Sequence, residues 1–413
     1  MRLFLLECKR VLKTRRTPIL MLLVLGMTLF AAYMPVHYYT SFTTEGVELT
    51  GLDAIRYDKE SQADLRGEVT PEKVRHALQT YQTVMRRNVT DMDANVYSLP
   101  DKEKGIIDRE AGMLLNGLQD IFSTQGQPTD LMDIDPARVA DYDAAPLARI
   151  QELQHMQYPD NPLPAEYFTR LYEKVDHPFY YAPGADATTL EYQLMLGFML
   201  LMCCALLVAP TFASDYQTGA DDIQRCARHG RRRLALVRIG ASLVICGVLS
   251  ASALALYWLI SNSLYGWDVR DGSMQLLSIF GLTVPANMTF GELQLAFALV
   301  SLLSILSTVC AVLFLSARLN GLIASTASSL GLCILPMIVY LFVPEGAINW
   351  VNTLLPSSSL ALQASVLYQM REFGVLMLGN FICWVPIAMI VVCAIELPIF
   401  AALALVSYNC RRA

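Results

Sequence analysis

The sequence predicts an all-α integral membrane protein with six transmembrane helices and a mostly helical extracytoplasmic domain inserted between helices 1 and 2. Three observations carry that reading. First, the 413 residues are 54% hydrophobic and only 16% charged, with a mean hydropathy of +0.40, whereas soluble domains carry about 25% charged residues. Second, six windows free of charged side chains are long enough to cross a hydrocarbon core about 30 Å thick, which takes about 20 residues. Third, charge is divided: residues 37–189 carry a net −12 and the remainder +6.

The windows run over 19–36, 192–214, 239–267, 293–317, 319–344 and 373–395. Charged residues bracket most of them: Glu191 and Asp215 the second, Glu292 and Arg318 the fourth, Arg318 and Glu345 the fifth, Glu372 and Glu396 the sixth. The first window follows basic residues as a secretory signal would, but no small-residue cleavage site follows Tyr33-Met34-Pro35 and five more windows come after it, so it reads as a span.

Lys and Arg orient the chain, because loops rich in them stay cytoplasmic. Fifteen of the 17 basic residues outside 37–189 fall on one side if six spans leave both termini inside; only Arg270 and Arg371 fall opposite. A seventh span over 272–291 would put Arg411 and Arg412 outside. That stretch also contains Gln275, Pro285 and Asn287, and it reads as an interfacial or re-entrant piece.

The predicted organisation is a cytoplasmic amphipathic helix at 1–16, span 1 at 17–36 and the extracytoplasmic domain at 37–189. Span 2 at 190–214 leads to a cytoplasmic loop at 215–236, and spans 3–6 occupy 237–413 with outer loops at 263–291 and 344–372. The first 16 residues mix Leu3, Leu6 and Val11 with basic positions, as suits a helix in the inner interface or an ordinary basic flank. In the domain, Thr70-Pro71-Glu72 opens a helix running to about Asn88, with Pro at the first helical position. Further helices are expected over 101–122, over 136–156 with a break near Pro146, and over 164–175. The domain is large enough to build a core of its own. Its acidity serves solubility or attracts cationic ligands.

None of the ten cysteines lies in 37–189, so disulfides do not staple this domain, as fits a bacterial surface. In the fifth window Gly321, Ser325, Ser329 and Cys333 repeat every four residues. Small side chains on one face admit a close neighbour, either a helix of the same subunit or a dimer seam. Glu396 and Pro398 follow the sixth window, so the last helix is expected to be long or kinked, with Glu396 near the inner surface. Between 344 and 372, short helices are expected to dip into the outer leaflet under protein cover.

Several chemistries lack their motifs. The chain contains no GxxxxGK[ST], HExxH, CxxC or GxSxG, so neither nucleotide hydrolysis nor zinc or serine hydrolase chemistry is indicated. The five histidines are scattered and read as surface residues rather than metal ligands. The windows carry almost none of the buried charge expected of an ion-coupled transporter.

The most informative stretch is FASDYQTGADDIQRCARHGRRRLALVRI, residues 212–239. Phe212, Asp215, Tyr216 and Gly219 are followed by a short polar segment with Asp222 and Arg225. Gly230-Arg231 stands eleven residues after Gly219. This arrangement resembles the cytoplasmic coupling loop of ABC transporter type-2 permeases, in particular a bacterial, Gram-positive-like group with a large external domain between the first two spans. Asp215 replaces the group's usual Glu, Ala220 its usual Thr or Ser, and Asp222 to Arg225 are more polar than its pattern. The opening LLECKRVLK, with Glu7, Lys9 and Arg10, is similar to the group's elbow helix, as is the order of one span, a large insertion and five spans.

The resemblance implies a membrane-spanning subunit of an ATP-driven exporter in the bacterial cytoplasmic membrane. Such a subunit pairs with a second permease subunit, identical or paralogous, and docks its loop on a separate ABC ATPase subunit. It implies no cofactor in this chain, with ATP and Mg bound by the partner ATPase, a surrounding lipid bilayer and no nucleic acid. Asp215, at the start of a short helix, would face the helix dipole and a basic patch on the ATPase. The substrate class it suggests is a peptide or amphiphile. A different class stays open: a non-transporting membrane sensor whose external domain binds a ligand and signals through the same loop.

Overall fold

The computed structural model describes residues 2–88, 98–123, 126–226, 231–342, 347–379 and 381–410. It is mostly helical, and six helices are long and apolar enough to cross a membrane. The chain is a multi-pass membrane protein.

An amphipathic helix, α1 (Arg2–Lys13), precedes the first long helix, α2 (Arg16–Tyr38). The chain then forms a layer of short helices and hairpins whose core is continuous with that of the long helices. A hairpin of β1 (Thr40–Phe42) and β2 (Glu48–Thr50) leads to α3 (Gly51–Ser61), β3 (Gly67–Glu68) and α4 (Pro71–Asn88). Helices α5 (Asp101–Ala111) and α6 (Leu118–Ile121), a 3-10 turn (Pro136–Asp141), α7 (Ala145–Gln157), α8 (Leu163–Tyr172) and β4 (Tyr180–Tyr181) complete it, β4 pairing antiparallel with β3. The chain re-enters the bundle through α9 (Thr188–Val208), extended by α10 (Pro210–Thr218) and followed by α11 (Ala220–Cys226). Three long helices follow: α12 (Arg232–Tyr265), α13 (Phe290–Arg318) and α14 (Leu322–Phe342). Next come the short α15 (Ala347–Thr353) and α16 (Val366–Gln369), a hairpin of β5 (Val375–Leu378) and β6 (Phe381–Trp384), and the last long helix, α17 (Val385–Cys410).

Helix α4 shows why the layer folds. Val74, Ala77, Leu78, Tyr81 and Met85 recur at helical spacing and are buried, so one face closes on the core while the charged face stays in solvent. The helix expected over 101–122 breaks instead, because Gly112 and Gly117 adopt positive φ and end α5 before α6 begins. The segments predicted at 136–156 and 164–175 appear as the 3-10 turn with α7 and as α8.

Residues 267–289 pack into the core of the helical layer. Leu276, Leu277, Phe280, Leu282 and Val284 are buried in it. Tyr172 donates to Leu282 O (3.0 Å), Asn116 to Leu276 O (2.9 Å), and Ser273 N–H to Tyr180 O (2.9 Å). Irregular backbone of this kind is stable only where its polar groups find partners. A capping box at Thr289 and Glu292 then starts α13.

The sixth long helix begins later than its hydropathy window. Residues 375–378 and 381–384 pair as the β5–β6 hairpin, and Gly379, which follows β5, has a φ of +61°. It packs on α8 through Trp384 and Phe373, both edge-on to Phe168 with ring centroids 6.3 and 5.2 Å away. Glu396 is therefore mid-helix in α17 rather than near its end, eleven residues from Val385 and fourteen from Cys410.

Between α15 and α16 the chain turns back into the bundle. Ser357, Ser358, Ser359 and Leu360 are completely buried. Ser304 of α13 donates to Pro356 O (2.9 Å), and Ser357 donates to Leu332 O of α14 (2.7 Å). Leu360 lies against Gly197 of α9, where a Cβ would stand 3.0 Å from its Cδ2. At 1.5 Å per residue, Gly197 is about 14 Å into α9. The segment is broken and wedged among helices, its backbone covered by protein.

The candidate packing stripe of α14 faces its own subunit. Ser325 and Ser329 are fully buried; Ser325 donates to Ala209 O (2.8 Å) and Ser329 to Ser325 O (2.6 Å). Gly321 contacts nothing within 4 Å of an added Cβ. The outer surfaces of α14 and α17 are the most open of the six spans, while α9 and α13 are the most enclosed.

Candidate functional site at the basic end of the bundle

Four helices meet where the basic residues cluster. Arg238, seven residues into α12, is buried with 2% of its side chain exposed. Its Nη2 stands 2.5 Å from Asp215 Oδ2 of α10, and it also donates to Gln224 Oε1 of α11 at 2.9 Å. Its Nε lies 3.7 Å from Glu7 Oε1 of α1. Glu7 in turn holds Arg10 Nε at 2.8 Å, and Arg10 Nη1 reaches to 3.9 Å from Asp215 Oδ1. Two carboxylates and two guanidinium groups alternate, so each charge lies beside an opposite one, while Arg238 Nε and Nη1 are buried without a hydrogen bond, which leaves part of their desolvation cost uncompensated.

The sequence puts these groups here for local reasons. Glu7 and Arg10 are one helical turn apart, so both lie on the side of α1 that faces the bundle. Exposed Leu5, Leu6 and Leu12 occupy other positions on α1. Helix α10 continues the direction of α9 past Pro210, and its amide groups at Phe212 and Ala213 both donate to Ser316 Oγ of α13 at 3.1 Å. Phe212 is fully buried, with Tyr408 of α17 at 5.0 Å between ring centroids and the Arg238 guanidinium 5.8 Å over its face. Tyr216 points its hydroxyl at Ala317 O, 3.4 Å away. Gly219 ends α10 in the left-handed conformation with φ +69°, which favours glycine, and it turns the chain into α11.

Of the residues singled out in the sequence, Glu7, Arg10, Phe212, Asp215 and Tyr216 converge on this inner face. Asp215 lies within α10, not at the start of α11, and it is turned inward to Arg238. Lys9, Asp222 and Arg231 are exposed. Gly230 lies outside the described residues, as does the Arg225 side chain. Arg238 is the residue the sequence reading missed: it counted only as one of the orienting charges. A lone Arg inside the apolar run LALVRIGASLV was the signal that it needed a buried partner.

What remains open at this end is the outer face of α10 and α11. Gln217, Thr218 and Gly219 are exposed, Asp222 flanks them, and Ile223 is 78% exposed. No group of three or more potential metal ligands occurs among the described residues. Compared with known families and curated proteins, the chain matches no family model and no curated sequence.

Proposed function

We propose that this chain is the membrane-spanning permease subunit of an ATP-driven ABC exporter of the type-2 kind, with the α10–α11 segment as the element that docks on a separate ATPase. One observation carries the reading. The segment is anchored from within by the Asp215–Arg238 pair while it presents an apolar side chain, Ile223, to the outside. A force applied at Ile223 would pass through α10 into α9, and through Arg238 into α12 and α1, without the segment peeling away. Mechanical gating of this type requires an element that is rigid towards the bundle and free towards its partner.

On this reading the basic end is cytoplasmic, by the excess of Lys and Arg there, and the helical layer stands outside a bacterial cytoplasmic membrane. Two such subunits, identical or paired with a paralogue, form the pathway. ATP and Mg belong to the partner ATPase, and this chain performs no catalysis. A peptide or other bulky amphiphile suits the large outer layer.

The test is co-purification with a co-expressed candidate ATPase and measurement of substrate-stimulated ATP hydrolysis in proteoliposomes. Ile223→Glu should abolish co-purification while leaving the melting temperature of the membrane subunit unchanged. If Ile223→Glu, Asp215→Ala and Gly219→Pro all left complex formation and coupling intact, the docking role would be wrong. Inward signalling by the outer layer without an ATPase would favour the sensor reading.

A further inference from the structure

Beside the ionic cluster, a notch of about 280 Å³ opens between α1, the first turn of α2, the α9–α10 junction and the start of α14. Arg10, Thr14, Arg16 and Thr17 line one wall, Thr211 and Ser214 the other, and Leu206, Leu207, Pro210 and Leu322 form the apolar part. None of the lining residues is acidic, and the first turn of α2 carries no carboxylate. Arg16 is exposed and enters no ion pair with a described residue.

We infer that this notch holds the headgroup of an anionic phospholipid. The position is that of a lipid: α2 becomes a long apolar helix at Arg16, and α1 beside it carries exposed Leu5, Leu6 and Leu12 among Arg2, Lys9 and Lys13. An amphipathic basic helix of this composition lies in the plane of the headgroups, and basic pockets between helices at that level attract lipid phosphates. Arg16 supplies the charge, and Ser214 and Thr211, which line the same notch, offer hydroxyls as neutral donors. The leucines and Pro210 receive the upper acyl chain. A zwitterionic lipid would bring its own cation against Arg16 and lose that complementarity.

A consequence follows for the neighbouring cluster. Arg10 is shared between the notch and the Glu7–Asp215 side, so a bound phosphate would draw it outward and leave Arg238 as the main partner of both carboxylates. This inference rests on the six spans, and not on the permease reading.

The experiment uses the full chain, purified in mild detergent and titrated with phosphatidylglycerol or phosphatidylcholine, with retained lipid read by native mass spectrometry. One phosphatidylglycerol should bind at least tenfold more tightly than phosphatidylcholine. Arg16→Gln should reduce that preference about fivefold or more, and Thr211→Trp, which fills the notch, should remove it. Inorganic phosphate at millimolar concentration should not displace the lipid. Equal retention of the two lipids, displacement by inorganic phosphate, or a preference unchanged in Arg16→Gln would each overturn the assignment. If Thr211→Trp fails to fold, Arg16→Gln decides the matter, since an exposed side chain is not needed for the fold.

Discussion

Asp215 of α10 and Arg238 of α12 meet 2.5 Å apart in a site where the guanidinium is almost wholly shielded from solvent. The pair joins a helix that ends one span to a helix that begins the next, across a connection of which 227–230 lie outside the described residues. Removing one partner from such a pair is costlier than removing both, because the survivor keeps the desolvation cost without its compensation.

Asp215→Ala should therefore destabilise the subunit by about 3 kcal/mol or more, the range for a broken buried pair. The double substitution Asp215→Leu with Arg238→Met should recover most of that loss, since Glu7 keeps Arg10 at 2.8 Å. Thermal melts in detergent check both. An Asp215→Ala protein as stable as the parent would mean that water or another cation replaces the contact.

Gly219 offers a cleaner probe of the turn into α11. A Cβ added there meets nothing within 4 Å, so Gly219→Ala tests backbone conformation alone. It should cost about 1 kcal/mol, the usual penalty of the left-handed region for an L residue, and Gly219→Asn should cost less. Matching melting temperatures for Ala and Asn would contradict this account.

The helical layer should lose stability as pH rises. Burial, together with the nearby Asp58 carboxylate, pushes the Asp108 carboxyl from 3.8 up to about 6. Burial also raises Asp58, against the opposing hydrogen bonds from Ser41 and Tyr39. The native state thus holds these protons more tightly than the unfolded chain does. Their contribution to stability is complete below about pH 4 and declines as pH rises through about 6. Asp108→Asn should raise the melting temperature at pH 8, leave it unchanged at pH 4, and flatten the profile between. A profile as steep as the parent's would exclude Asp108 as its source.

Leu360→Ala should leave a cavity between the re-entrant segment and Gly197, at a cost of about 2–5 kcal/mol for a fully buried leucine. Gly197→Ala should add strain at the same contact, by pressing a methyl group against Leu360. Melts of the two single variants and the double would show partial relief in the double, because the smaller side chain makes room for the methyl. Strict additivity would show that the two residues do not share the contact.

The long helices were readable from hydropathy because a span needs little beyond length and apolarity. The start of α17 was misread for the same reason: FGVLMLGNFICW is uncharged and mostly apolar, and apolarity alone does not separate a hairpin from a helix. The Gly379-Asn380 dipeptide between two four-residue runs was the available turn signal. At the basic end, Asp215, Glu7 and Arg10 were singled out for resemblance and not for contact. Their meeting depends on the crossing of α1 and α12, which no local pattern encodes. Arg238 carried a legible signal that went unused, because charge in an apolar helix has to find a partner.

The strap at 267–289 also sets a schedule. Because Tyr172 and Asn116 bond to it and its leucines fill their core, the layer that begins after α2 is finished only when the chain has been made as far as α13. Roughly 100 residues separate β4, the last element of the layer before the bundle resumes, from the end of this stretch, which at about 5–20 residues per second is on the order of 5–20 s of synthesis. During that interval the layer stands with its apolar underside uncovered, so a slower ribosome over α9 to α12 would expose it longer, and a chaperone would find its target there.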